Sequence, residues 1–247
     1  MIIQKIVRLF AQKFMPKLAY PIITGPLKGI KFIHGALVGP SLGASVYLNK
    51  IEKKQTNEFI YQVKPEDIVF DIGANVGYYT MLASRIVGEK GKVFSFEPVV
   101  RNLVYLYNHI KLNKLKNVVI LPFACSEESE LELFLFGPNF AQGHIENNFK
   151  ILEFDSESQT FVNTITIDKF TSISGVMPNI IKIDVEGSEL FVLKGAKETM
   201  TKHKPKIFLS IHSNDLEIIC KEYLKDFSYQ FILLDEKERP SVEYLCY

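Results

Sequence analysis

Hydrophobic and polar positions follow two rhythms along this chain. Short apolar runs rich in Val, Ile and Phe alternate, from residue 68 onward, with stretches whose apolar residues recur every three or four positions. The runs predict buried strands, the longer period predicts amphipathic helices, and their alternation predicts parallel βαβ units. Strands are expected at 68–72, 92–97, 118–121, 131–136, 179–184, 206–212, 229–234 and 242–247, and 164–170 reads as strand into helix. Helices are expected at 51–63, 78–87, 98–112, 189–200 and 215–225, with Pro98 in the first turn of its helix. No helical stretch separates the last two strands, which predicts an antiparallel edge.

The flanks of this pattern differ. Residues 2–15 place Ile3, Ile6, Val7, Phe10 and Phe14 on one helical face, and Lys5, Arg8, Gln12 and Lys13 on the other, until Pro16 ends the period. Such a helix either lies on an anionic membrane surface or docks on the domain or on a second subunit of a homo-oligomer. Residues 20–50 are punctuated by glycine and proline, with a hairpin strand expected at 28–33. We therefore expect an extension over 1–50 and one domain over 51–247. Residues 137–160 are polar and without clear period. So long a loop is expected to be a lid, a binding loop or disordered.

The stretch 68–79 couples a buried strand to a glycine-rich turn and a helix start, a common place to hold a nucleoside. Its spacing is Asp71-x-Gly73-x-Asn75-x-Gly77, which is neither the Gly-x-Gly-x-x-Gly of dinucleotide folds nor a P-loop. An acid before the turn, with no phosphate-cradling pattern, suits a cationic or neutral nucleoside such as S-adenosylmethionine. The alternative is a tight turn without a ligand. Glu97 ends the next strand, about 25 residues on, where an acid is expected to accept from both ribose hydroxyls. The alternative there is a solvated strand-end acid.

Composition narrows the classes. The chain has 247 residues, 47% hydrophobic and 23% charged, enough for one sizeable core. A net charge of +1 gives no field to recruit nucleic acid, and no nucleic-acid partner is expected. Cys125, Cys220 and Cys246 are odd in number and lack metal-ligand spacing, which predicts a reducing compartment without structural zinc. There is no apolar run near ~18 residues and no signal-peptide pattern. A cytoplasmic protein is expected, peripheral to the inner membrane face if residues 2–15 lie on lipid.

In an open α/β sheet, ligands bind beyond the carboxyl ends of the strands. Asp71, Asn75, Glu97, Ser126, Asp184, Glu186 and His212 all fall there. Within this set the motifs Asp71-Ile-Gly-Ala-Asn-Val-Gly-Tyr-Tyr79, Phe96-Glu-Pro98, Thr164-Ile-Thr-Ile-Asp168 and Ile181-Lys-Ile-Asp-Val-Glu-Gly-Ser-Glu189 resemble the FkbM-type methyltransferases, a branch of the class I S-adenosylmethionine-dependent enzymes. The resemblance covers roughly residues 60–212. It implies an α/β, Rossmann-like fold: a mostly parallel seven-stranded sheet, its last strand antiparallel, with helices on both faces. It also implies methylation of a hydroxyl. By position it implies cofactor contacts from Asp71, Gly73, Ala74, Asn75, Gly77, Tyr79, Glu97, Pro98, Ala124, Ser126 and Asp184. Of these, Asp71, Gly73, Asn75 and Gly77 would line the methionine part and Glu97 the ribose, while residues 123–126 would border the adenine.

A sugar hydroxyl is a poor nucleophile at neutral pH, and a general base adds typically ~10²–10⁴-fold. The candidates are Asp184, Glu186 and His212. His212 has an ordinary pKa suited to base work, and its alternative is a rim histidine satisfied by backbone. Glu186 either fixes the turn before Gly187 or, with Asp184, admits a divalent ion; no metal is expected. His144, in the long loop, could reach the substrate; His34, His109 and His203 have weaker claims. The reading is an O-methyltransferase acting on a sugar, a glycan or a small-molecule natural product. RNA or protein methylation, and a non-catalytic binding protein on the same fold, are the alternatives.

Overall fold

The apolar runs become the strands of one central sheet. The computed structural model describes residues 18–33, 36, 46–47, 52–136, 143–146, 158–236 and 241–247. The expected helix over 2–15 and His34 lie outside them. After a short hairpin, β1 (Ala19–Pro21) and β2 (Lys31–Ile33), the chain forms α1 (Lys53–Gln62), β3 (Ile68–Ile72), α2 (Tyr78–Val87), β4 (Lys92–Phe96), α3 (Val100–Leu112) and β5 (Val118–Leu121). Then come β6 (Ala124–Cys125), β7 (Leu131–Phe136), β8 (Gly143–Glu146), β9 (Gln159–Ile165) and α4 (Ile167–Ser174). The remainder is β10 (Ile180–Ile183), α5 (Glu189–Lys194), α6 (Lys197–His203), β11 (Lys206–Ile211), α7 (Asn214–Asp226), β12 (Phe231–Glu236) and β13 (Val242–Cys246).

The seven-stranded sheet runs β12-β13-β11-β10-β3-β4-β5. The pairs among β11, β10, β3, β4 and β5 are parallel, and β13 is antiparallel to both its neighbours. The last strand is thus antiparallel, as the resemblance implies, but it lies inside the sheet, and β12 forms the edge. The order reverses between β3 and β10, so their carboxyl ends open a crevice there.

Side chains alternate across the sheet. Val69 and Ile180 join the core under α1 and α2, with Phe59, Tyr79, Met81 and Phe208. Phe70, Ile72, Ile181 and Ile183 join the opposite core, with Val192, Leu193, Met200 and Leu224. Phe59, Phe70, Phe96 and Phe208 are fully buried, and each such side chain contributes about 1.5–3 kcal/mol.

Three local expectations change. Pro98 precedes α3 by two residues, behind the N-cap Val99. The helix expected over 189–200 breaks into α5 and α6. A Cβ on Gly195 would lie 2.1 Å from the Ser126 carbonyl oxygen, and the Asp168 carboxylate caps α6 by accepting from the Glu198 and Thr199 N–H groups, both at 2.8 Å. Inside the expected long loop, residues 143–146 form β8, antiparallel to β7. Together β6-β9-β7-β8 make a second, four-stranded sheet, which adds a small core of Val99, Ala124, Phe134, Ile145 and Val162.

The hairpin is fastened to α3. Ile33 N–H donates to His109 Nε2 at 2.9 Å, and His109 Nδ1–H donates to the Val76 carbonyl at 2.7 Å. Asn113 exchanges hydrogen bonds with the backbone of Lys31. With no carboxylate among these partners, burial pushes the His109 pKa down to about 4. Among the described residues, no helix is long and apolar enough to cross a membrane.

Candidate active site

The turn after β3 is built on left-handed backbone at Gly73, Asn75 and Gly77. Space as well as conformation demands the two glycines. A Cβ on Gly73 would fall 2.0 Å from the Asp184 carbonyl oxygen, and one on Gly77 would fall 2.5 Å from Leu106. The glycines therefore serve close packing of the turn against β10 and α3. Gly73 and Ala74 donate their N–H groups to the Phe96 carbonyl, both at 3.0 Å, and Gly77 donates to Ala74. Asn75 N–H donates to Glu97 Oε2 at 2.7 Å. These donors are engaged inside the protein, so the turn offers little cradle for a phosphate.

Glu97 is the polar centre of this side. Its Oε1 accepts from Val99 N–H at 2.9 Å and from Asn102 at 3.3 Å. Burial nevertheless pushes its pKa up to about 7, against the pull of those donors. Oε1 thus accepts twice, and Oε2, which accepts once, keeps a further acceptor direction for a ribose hydroxyl.

An open cavity of about 700 Å³ lies beyond these groups. Gly73, Asn75, Glu97 and Pro98 line it, with the apolar Ala124, Phe134 and Ile145 and the carboxylates Asp184 and Glu186; His212 does not border it. Of the cofactor contacts implied by resemblance, Gly73, Asn75, Glu97, Pro98, Ala124 and Asp184 border this space. Asp71, Ala74, Gly77, Tyr79 and Ser126 do not. Asp71 lies beneath the turn, where its Oδ2 accepts from the Thr80 hydroxyl at 2.6 Å and burial raises its pKa. The Tyr79 hydroxyl instead sits in a polar cluster, 2.8 Å from Gln55 Oε1 and 2.9 Å from Glu52 Oε2, and shares its one proton between them. Ser126 is buried, with its N–H on the Ile165 carbonyl.

The acids after β10 and the histidine after β11 converge. His212 Nε2 lies 3.3 Å from Glu186 Oε2 and 3.6 Å from Asp184 Oδ1. Its Nδ1–H donates to Glu189 Oε1 at 2.8 Å. Glu189, fully buried at the start of α5, also accepts from Gly187 N–H at 2.9 Å. Glu186 itself has φ 53 and Gly187 φ 114, a left-handed pair that turns the Glu186 carboxylate back toward His212. Beneath them the buried Lys182 ammonium meets Asp184 Oδ2 at 3.0 Å and lies 4.6 Å from the Tyr79 ring centre.

Charge dominates this cluster. Burial works against a charged His212, but the hydrogen bond to Glu189 and the charges of Asp184 and Glu186 outweigh it and raise its pKa to about 9. Burial raises Glu186 to about 7 although His212 pulls it down. Burial likewise opposes the Lys182 charge, and Asp184 and Asp71 still hold it above the usual lysine range. The ordinary histidine pKa that marked His212 in the sequence is thus not the one its surroundings give it.

Sequence reasoning assigned no role to Glu189, Val99, Asn102, Phe134 or Ile145. A glutamate in the first turn of a helix ordinarily serves the helix dipole, which hid the pairing of Glu189 with His212. The side chain of His144 lies outside the described set.

Residues 71–233 match the Methyltransferase FkbM domain. The chain belongs to the FkbM methyltransferase family. A curated relative, hexuronic acid methyltransferase AglP of Haloferax volcanii, is 29% identical over 138 residues, 54% of this chain and 52% of that protein. The crystal structure of an FkbM methyltransferase from Methylobacillus flagellatus superposes with a TM-score of 0.51 at 19% identity, covering 85% of this chain and 56% of that one. M. jannaschii TYW2, solved in complex with AdoMet, gives a TM-score of 0.50 at 14% identity, covering 88% and 79%. These two likenesses establish the class I methyltransferase fold. The chain spans about half the length of AglP and of the Methylobacillus protein.

Proposed function

We propose that this chain is an S-adenosylmethionine-dependent O-methyltransferase whose acceptor is a hydroxyl of a sugar, a glycan or a small natural product. One observation carries the reading. A single cavity is lined by the buried Glu97 and by Asp184 and Glu186, the two carboxylates that His212 meets from behind the wall. Glu97 suits a ribose and the two carboxylates an acceptor oxygen. The apolar wall of Ala124, Phe134 and Ile145 suits a flat base. The engaged N–H groups of the turn favour a nucleoside without phosphates.

S-adenosylmethionine would supply a methyl group already attached to a good leaving group. Glu97 would hold the ribose, and Gly73 and Asn75 would border the methionine part. The protein's remaining work is alignment and proton management. Alignment alone can contribute up to about 7–11 kcal/mol of a barrier. Asp184 and Glu186 would orient the acceptor hydroxyl and receive its proton, with His212 holding the two carboxylates in place. Similarity to a hexuronic acid methyltransferase supports a sugar acceptor, and the net charge of +1 disfavours RNA.

The test is a calorimetric titration with S-adenosylmethionine, followed by labelled-methyl transfer to uronic-acid glycans, polyketides and RNA. Heat on titration and label on a glycan or polyketide are the expected results. Absence of cofactor binding would overturn the enzyme reading, and label on RNA alone would overturn the acceptor.

A further inference from the structure

We propose that Asp184, Glu186 and His212 bind a divalent cation, Mg²⁺ or Mn²⁺, at the acceptor side of the cavity, with Glu189 positioning the histidine. One ligand atom from each of the three residues lies within 4.8 Å of the other two. The Nε2 to Glu186 and Nε2 to Asp184 separations, 3.3 and 3.6 Å, are those of neighbouring ligands at right angles around one ion. Such an edge is about 1.4 times the bond length, so these imply bonds of about 2.4–2.6 Å, a few tenths longer than those of a closed Mg²⁺ or Mn²⁺ site. Two carboxylates and one imidazole, open to solvent on one side, suit a hard cation that keeps several waters.

A second observation points the same way. Metal-bound histidines commonly donate their other ring N–H to a carboxylate, which fixes the tautomer. His212 does so to Glu189 at 2.8 Å. Glu189 is fully buried, and its Oε2 has no hydrogen-bond partner among the described residues. A buried, partly unsatisfied carboxylate is costly unless positive charge stands nearby, and a cation on the far nitrogen of His212 would provide it. The charges match: once the ion takes the place of the Nε2 proton, Asp184, Glu186 and Glu189 against Lys182 leave two negative charges beside a neutral imidazole. Lys182 occupies Asp184 Oδ2, and Oδ1 is the oxygen turned to His212. The role of the cation rests on the methyl-transfer reading. It would draw electron density from an acceptor oxygen and ease loss of its proton. The site itself does not depend on that reading.

The test titrates the purified full chain with Mn²⁺ alone, following free Mn²⁺ by electron paramagnetic resonance. One ion per chain is expected, displaced by Mg²⁺. Glu186→Gln and His212→Ala should each weaken binding at least about tenfold, and the shape-preserving Glu189→Gln by about 10–100-fold. Circular dichroism of each variant confirms its fold. Failure of Mn²⁺ to bind the native chain, or equal binding by all three variants, overturns the cation. S-adenosylmethionine titrated into the same samples separates the two ideas. Cofactor heat without Mn²⁺ binding removes the cation and leaves the methyl-transfer reading, whereas site-specific Mn²⁺ binding without cofactor heat does the reverse.

Discussion

His109 and His212 are both withdrawn from water, yet their surroundings drive them in opposite directions. His109 meets one backbone donor, one backbone acceptor and the face of Phe32, and its pKa falls to about 4. His212 meets three carboxylates, and its pKa rises to about 9. Burial disfavours the charged ring at both sites, so the partners decide the difference. A histidine surrounded by backbone is a fastener. One surrounded by acids at a cavity edge can bind, orient or exchange charge.

Substitution should separate the two most strongly at the level of turnover. His212→Ala is expected to lower kcat by about 10²–10⁴-fold with S-adenosylmethionine affinity almost unchanged. Full activity in that variant would remove the contrast. His109→Ala should instead destabilise the fold by about 2–4 kcal/mol, through a cavity and two orphaned backbone groups. Denaturant midpoints measure this, and the folded fraction should retain native turnover. Equal loss of kcat in both variants would mean that the fastener also shapes the site.

Acid should find the fastener first. The folded-state pKa of His109, about 4, is below its unfolded value near 6.5. Its contribution to stability is therefore complete above pH 6.5 and is lost progressively as pH falls toward 4. The difference is about 3 kcal/mol at the low end. His109→Gln should flatten that part of the stability profile.

Glu97 extends the comparison to a carboxylate that burial lifts to about 7. If its ionised form holds the ribose, cofactor affinity should fall as pH drops through 7, by up to about tenfold between pH 8 and 6. Its stability effect has the opposite sign, since a raised carboxyl pKa favours the folded state below the unfolded value of 4.5 and loses that advantage as pH rises through 7. Glu97→Ala should weaken binding by at least about 1 kcal/mol at pH 8. Unchanged affinity would refute the ribose assignment.

The parallel core was legible because β3, β4, β10 and β11 are short apolar, β-rich runs interrupted inside only by Asp71, Ser95, Lys182 and Ser210, and the last three run into Glu97, Asp184 and His212, a pattern that depends only on local sequence. The rim placement of Glu97, Asp184, Glu186 and His212 followed from those strand ends. The second sheet was not legible. Residues 143–146 are a short, polar-flanked strand whose pairing with Leu133–Phe136 is set by tertiary contact. Nor does sequence spacing reveal that β13 inserts beside β11, or that Gly195 faces a carbonyl. Tyr79 sits next to the glycine turn in sequence, but helical rotation carries its ring to the other side of the sheet end, toward Gln55.

Gly73 touches the carbonyl of Asp184 with no room for even a methyl group. The loop nearest the nucleoside side and the loop nearest the acceptor side are therefore pressed into a single rigid seam. Widening for entry or exit is expected in the wall carrying Phe134 and Ile145, where hydrogen exchange should be fastest. A side chain forced in at position 73 would wedge both halves of the reaction apart at once.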